Sequence, residues 1–226
     1  MLSRWFTELF FPHTCCMCGN KLIIGKILCD ECLLSLPRTE QFLLRGNSTE
    51  EFFASEPRFE EAAAFLFFDK ESPIQQVVHA FKYREQPQWA YHLATIAAQE
   101  FLETDFFETI DVIIPVPLHS KRFRTRGYNQ SEYIARGLGD VTGIPVDTTH
   151  VCRVVNNSQQ ALLPKQHRDQ NVAGIFQVNH PEEMYRKHIL LVDDLITTGA
   201  TIRSMMDAMK PFRGSKYSVF ALCRPR

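Results

Sequence analysis

Leu190-Leu-Val-Asp-Asp-Leu-Ile-Thr-Thr-Gly-Ala-Thr-Ile202 reads as a short apolar strand, two adjacent acids, and a hydroxyl- and glycine-rich turn that opens a helix. The helix shows in Ile202, Met205, Met206 and Met209, spaced i, i+3, i+4, i+7. Backbone N–H groups at a helix start form a positive cradle for phosphate, and Thr197, Thr198 and Thr201 add hydroxyls. Gly199 lets the backbone approach an anion closely. Asp193 and Asp194, where the strand ends, suit sugar hydroxyls or a hydrated Mg²⁺. A phosphate cradle beside two acids points to a sugar phosphate. As a bland alternative, the acids and threonines simply cap a helix.

The stretch resembles the phosphoribosyl pyrophosphate (PRPP) motif of type I phosphoribosyltransferases. The resemblance implies that Asp193 and Asp194 bind the ribose 2′ and 3′ hydroxyls. Thr197, Thr198, Gly199, Ala200 and Thr201 would then hold the 5′-phosphate.

Working outward, Ile113-Ile-Pro-Val-Pro-Leu-His-Ser-Lys-Arg-Phe-Arg-Thr-Arg-Gly-Tyr-Asn-Gln130 follows an apolar strand. From His119 to Tyr128 it carries Lys121, Arg122, Arg124 and Arg126 and no acid, in a chain of formal net charge −1. Open α/β sheets bind ligands at strand C-terminal ends. Fixed cations there would stabilise departing pyrophosphate, so Pro117, Leu118, His119, Lys121 and Arg122 are read as a pyrophosphate loop. A basic solvated loop is the plain alternative. A third, polar segment runs from Arg153 through Gln160 and Arg168 to Phe176. It is placed as a loop closing over the reacting centre to exclude water, a plain surface hairpin being the alternative.

Near the N-terminus, Cys15-x-x-Cys18 and Cys29-x-x-Cys32 form two knuckles able to put four sulfurs tetrahedrally around Zn²⁺. Free buried thiols and a redox pair are alternatives. Cys16 is surplus and is a possible substitute for Cys15. Five of the seven cysteines cluster here, which argues against a disulfide framework. Leu22, Ile23, Ile24, Ile27 and Leu28 predict two short strands around a turn at Gly25.

The 226 residues, 45% hydrophobic and 23% charged, suit one α/β domain with a small appendage. The near-zero net charge gives no global attraction to nucleic acid or membrane, and no apolar run is long enough to span a bilayer. Met1–Pro12 is expected to form a short amphipathic helix rather than a signal peptide, with cytoplasmic location following by default. The polar stretch 41–57, with Gly46, Asn47 and Ser48, is read as a linker. It separates residues 1–40, the N-terminal helix and zinc module, from the domain at 58–226. Strands are expected at Ala62–Phe68, Val112–Ile114, Val151–Val155, Ile189–Val192 and Tyr217–Leu222. Helices are expected from Pro73, over Pro87–Leu102 and over Asn129–Gly139. Their alternation predicts a mostly parallel sheet flanked by helices.

Nearly the whole chain, in order, resembles the ComF family. The carriers are the paired cysteine knuckles, His79-Ala-Phe-Lys-Tyr83, Pro115-Val-Pro-Leu-His119 and Arg126-Gly-Tyr-Asn-Gln130. Gln160-Ala-Leu, Arg168-Asp-Gln-Asn-Val172 and Leu190–Thr201 complete the set. The extra Cys16 and Leu195, where valine is usual, are minor departures. The resemblance implies the type I phosphoribosyltransferase fold, a structural zinc and PRPP with Mg²⁺. It also implies a cytoplasmic role with single-stranded DNA and other DNA-uptake proteins. Lys82, Tyr83, Arg126, Asn129, Gln130, Gln160 and Arg168 are carried as further residues bordering the site. Transfer of phosphoribosyl to an unnamed acceptor, in nucleoside metabolism or DNA utilisation, stands against a non-catalytic PRPP sensor or DNA-binding competence factor.

Overall fold

β5 (His188–Leu195) and β6 (Lys216–Arg224) are buried almost throughout and carry the apolar runs Ile189–Val192 and Val219–Cys223, as strands covered on both faces do. They are the inner strands of a four-stranded, wholly parallel sheet ordered β1-β6-β5-β2, with β1 at Phe59–Phe67 and β2 at Val112–Pro115. The computed structural model describes residues 14–22, 26–69, 72–83, 86–155 and 174–226. The expected N-terminal helix, Ile23–Gly25, Gln160 and Arg168 lie outside them.

Side-chain alternation divides the core in two. Leu190 and Val192 face α2 (Pro73–Tyr83), α3 (Pro87–Phe101) and α5 (Gln130–Thr142) through Phe81, Leu93, Phe101 and Ile134. Ile189 and Leu191 face Ile202, Met205 and Met206 of α6 (Ala200–Ala208), together with Met209 just beyond its end. Pro73 and Pro87 open their helices, where a missing N–H costs nothing. α3 and α5 meet closely at Gly137. An added methyl there would clash with the Tyr91 carbonyl oxygen and stand 3.0 Å from the Ala94 Cβ. Gly137→Ala is therefore expected to cost about 1–3 kcal/mol. Calorimetric melting should show a fall of about 3–10 °C.

Four segments differ from the sequence reading. The basic stretch read as a loop contains a helix, α4 (Ser120–Arg126). His119 Nδ1 accepts from the Lys121 N–H at its start, and Gly127, at φ 82°, ends it in the left-handed region. No residue of α4 is buried, so it has no apolar period to read.

The 41–57 stretch is folded onto β1, which lies at the sheet edge. Gln41 Oε1 accepts from the Ala64 N–H at 3.1 Å, and Asn47 Nδ2 donates to the Ala62 carbonyl at 2.7 Å. Polar residues there satisfy an open strand edge, while Phe53 is wholly buried. Val151–Val155 shortens to β3 (Val151–Arg153). It pairs antiparallel with β4 (Phe176–Val178), outside the main sheet.

The cysteine segment packs on the first core face through Cys15, Cys16, Leu28, Cys32 and Leu36. Around it the structure shows an isolated Thr14–Lys21 bridge and helix α1 (Asp30–Leu34). The described residues Leu22, Ile27 and Leu28 form no strand. The Phe67 N–H donates to the Pro37 carbonyl at 2.7 Å and the Thr39 N–H to the Phe65 carbonyl at 3.0 Å, tying the segment to β1. Among the described residues no helix is long and apolar enough to cross a membrane.

Candidate functional site

Asp193 and Asp194 end β5, and the turn 195–199 leads directly into α6. Gly199, at φ 70°, begins α6 and has no side chain to cap it; the Ala200 N–H reaches the Thr198 hydroxyl at 3.4 Å, and the next N–H groups of the first turn remain as backbone donors. A methyl at Gly199 would stand 3.1 Å from the Phe53 ring and 3.0 Å from the Phe52 Cβ. Both the backbone angle and the crowding require glycine there. Thr197, Thr198 and Ala200 are exposed and Thr201 is half-buried. With Asp193 they line a small cleft of about 30 Å³.

The two acids are held differently. Asp193 Oδ1 accepts from the Ser131 hydroxyl at 3.2 Å and from the Asp194 N–H at 2.9 Å. Ser131 lies in the first turn of α5, where the helix dipole favours an anion. Burial and the neighbouring Asp194 nevertheless push the Asp193 carboxyl up to about 7. Asp194 is buried, and its Oδ2 lies 3.0 Å from the Lys82 ammonium at the end of α2. The sequence could place Lys82 only near a helix end. Its partner is far away in the chain.

β2 runs beside β5, and the Val116 N–H donates to the Val192 carbonyl at 2.8 Å. Pro117, Leu118 and His119 therefore leave the sheet beside the acid pair. Beyond them a cavity of about 510 Å³ is lined by Lys82, Tyr83, Lys121, Arg122, Thr125, Arg126 and Tyr128. Four cations and no acid make it an anion-attracting hollow. Arg126 lies over the Tyr83 ring at 5.4 Å and donates to Gln130. The Asn129 side chain caps α5 and donates to the Val116 carbonyl at 3.1 Å, while Tyr128 donates to the Phe81 carbonyl at 2.7 Å. Asn129, Gln130 and Tyr128 thus brace the cavity wall.

By sequence Arg153 falls in the expected strand Val151–Val155 and opens the polar segment that follows. In the fold it rests 5.4 Å from the Phe176 ring, and its buried Nε has no partner among the described residues. Burial and Arg122 lower its pKa, against a pull from Asp193, so the three groups share one field.

At the other end of the chain, the sulfurs of Cys15, Cys18, Cys29 and Cys32 lie within 4.8 Å of one another. Cys18 and Cys29 are 3.7 Å apart. Zn–S bonds of about 2.3 Å would set tetrahedral sulfurs about 3.8 Å apart. These four residues could hold a metal ion such as zinc, and Cys16 is buried outside the group. The acid pair fits a divalent ion less well. Lys82 already neutralises Asp194, and Asp193 Oδ1 has two donors.

Residues 80–226 match the phosphoribosyl transferase domain family. The DNA utilization protein YhgH of Salmonella typhimurium is 26% identical over 226 residues, covering 99% of this chain and 92% of its own. Competence protein F of Haemophilus influenzae is 27% identical, covering 95% and 85%. Competence protein ComFC of Bacillus subtilis is 24% identical, covering 84% and 68%. Among solved structures, a glutamine PRPP amidotransferase from B. subtilis aligns at TM-score 0.44 and 19% identity, over 64% of this chain and 30% of its own. A purine phosphoribosyltransferase from Pyrococcus horikoshii aligns at 0.37 and 17%, over 62% and 85%. The chain belongs to the phosphoribosyl transferase domain family and, within it, is a ComF-type protein.

Proposed function

We propose that this protein binds PRPP and transfers its phosphoribosyl group to an acceptor with loss of pyrophosphate. The observation that carries this reading is a single edge of one parallel sheet. There an acid pair, a glycine turn opening a helix and a cationic hollow stand side by side. On this reading the residues from Thr197 to Thr201 hold the 5′-phosphate, and Asp193 and Asp194 hold the ribose hydroxyls. The loop at Pro117–His119, with Lys121, Arg122 and Arg153, receives pyrophosphate. The acceptor's nucleophile forms a bond to C1 of the ribose while the C1–oxygen bond to pyrophosphate breaks, its electron pair leaving with that group. Asp193, with its carboxyl near 7, is suited to accept the acceptor's proton. Mg²⁺ belongs, on this reading, with the pyrophosphate of the substrate.

A second reading rests on exposed aromatic rings among the cations. Tyr83 is 66% exposed under Arg126 and Phe123 is 46% exposed. Bases of a single strand stack on such platforms. The protein would then be a PRPP-responsive DNA-handling factor, in keeping with the names of its relatives. We place the protein in the cytoplasm, assign zinc to the four cysteines, and take other DNA-uptake proteins as its partners.

Calorimetric titration with PRPP and Mg²⁺ tests the site. Saturable binding is expected for the wild type. A loss of at least about tenfold is expected when both acids become asparagine, since each loses a charge-assisted hydrogen bond. Unchanged affinity in the double variant would refute the assignment. Pyrophosphate release only with an acceptor present marks the enzyme. Binding without release, accompanied by altered affinity for single-stranded DNA, marks the factor.

A further inference from the structure

The cation nearest the acid pair belongs to the protein itself. Lys82 and Asp194 are 16% and 7% exposed at their side chains, so water screens their ion pair little. Asp194 Oδ2 has no hydrogen-bond partner among the described residues and faces Lys82 as an ion pair alone. The lysine is held in place from behind. Phe81, its neighbour, is fully buried, and the Phe81 carbonyl takes the Tyr128 hydroxyl at 2.7 Å. Lys82 also lines the cationic cavity, so its ammonium stands between the acids and that hollow.

We propose that Lys82 is a ribose-binding residue serving as the site's built-in cation, so that ribose phosphates bind at Asp193 and Asp194 without a divalent metal ion. An ammonium has three donors. Lys82 meets Asp194 as an ion pair, and its donors remain for a sugar hydroxyl that in turn donates to the carboxylate. A metal ion seated on the same acids would have to displace Lys82, beside the further positive charges of Lys121 and Arg122. The disagreement between the residues present and a metal held by the acids is thus resolved by the lysine. The proposal rests on the reading that the acid pair takes ribose, and the experiment separates the two.

The probe is ribose 5-phosphate, which lacks the pyrophosphate that would bring Mg²⁺ with it. The full-length protein is titrated calorimetrically in buffer freed of metals over a chelating resin, with retained zinc checked, and again with Mg²⁺ added. The wild type is expected to bind equally well in both. Lys82→Met should bind about tenfold to a hundredfold more weakly without Mg²⁺, the range for a lost hydrogen bond to a charged group. Adding Mg²⁺ should restore part of that loss, and Lys82→Arg should lose less. Restoration by metal is a response that a merely structural lysine would not give.

Wild-type binding that requires Mg²⁺ overturns the proposal and leaves the ribose site standing. Lys82→Met that binds like wild type without metal does the same. No binding of ribose 5-phosphate under either condition overturns the ribose reading and this proposal with it. Should Lys82→Met fail to fold, the wild-type comparison with and without Mg²⁺ decides alone.

Discussion

Replacing Asp193 with asparagine is expected to stabilise the ligand-free protein while weakening its binding of PRPP. Burial and Asp194 hold the Asp193 carboxyl near 7, against 3.8 for the ordinary group. The folded state therefore binds this proton more tightly than the unfolded chain. Wild-type stability from this group is greatest below about pH 4 and is lost as pH rises through about 7. Asparagine can still accept from Ser131 and the Asp194 N–H through its carbonyl oxygen, and it carries no charge to desolvate. At pH 8 the gain should be about 2–3 kcal/mol after allowance for partial hydration. That corresponds to a melting temperature raised by about 5–10 °C. The two proteins should converge near pH 4. A variant no more stable than wild type at pH 8 would show that the carboxylate is not strained in the free site. The expected pattern is an acid kept for its ligand at the expense of the fold.

Replacing Cys29 with serine is expected to release the metal and unfold the N-terminal segment. Metal analysis should fall from one zinc per chain to almost none, because binding to such sites is coupled to folding. The loss should spread beyond the knuckles, since Leu28, Cys32 and Leu36 share a core face with α3 and Phe101. Tryptic cleavage between residues 14 and 40 would report it. Cys16→Ala is the control. Its sulfur is buried outside the four-sulfur group, so zinc should stay at one per chain with a stability cost of about 1 kcal/mol. Full zinc in Cys29→Ser would remove that residue from the ligand set, and loss of zinc in Cys16→Ala would bring Cys16 into it.

The elements read well from sequence were those with an apolar period and an end signal. β5 with its acids and turn, the helices opened by Pro73 and Pro87, and the strands of the parallel sheet all announce themselves within about a dozen residues. The four cysteines were legible because paired knuckles put sulfurs together whatever lies between them. What escaped had no such period. α4 buries nothing, so only His119 before it and Gly127 after it mark its ends.

The 41–57 stretch looked like a linker because its polar side chains are occupied by a strand edge that the sequence does not reveal. Two features of the site were hidden for a different reason. The partnership of Lys82 with Asp194, and the position of Arg153 beside Arg122 and Asp193, arise from chain crossings over large separations. No local pattern encodes them.

The contact of Gly199 with Phe52 and Phe53 has a consequence for any attempt to shorten this protein. A chain begun at residue 58 would keep every residue proposed for PRPP, yet it would lose the ledge on which the Gly199 turn rests. It would also lose the acceptor for Arg203, which donates to the Phe52 carbonyl at 2.7 Å. The uncovered edge of β1 would become a template for pairing with other chains. Such a fragment should come out of expression as aggregate, whereas one begun near residue 14 should remain dispersed. The smallest piece that can fold is thus set from outside the residues that match the family, by two phenylalanines packed under a glycine turn.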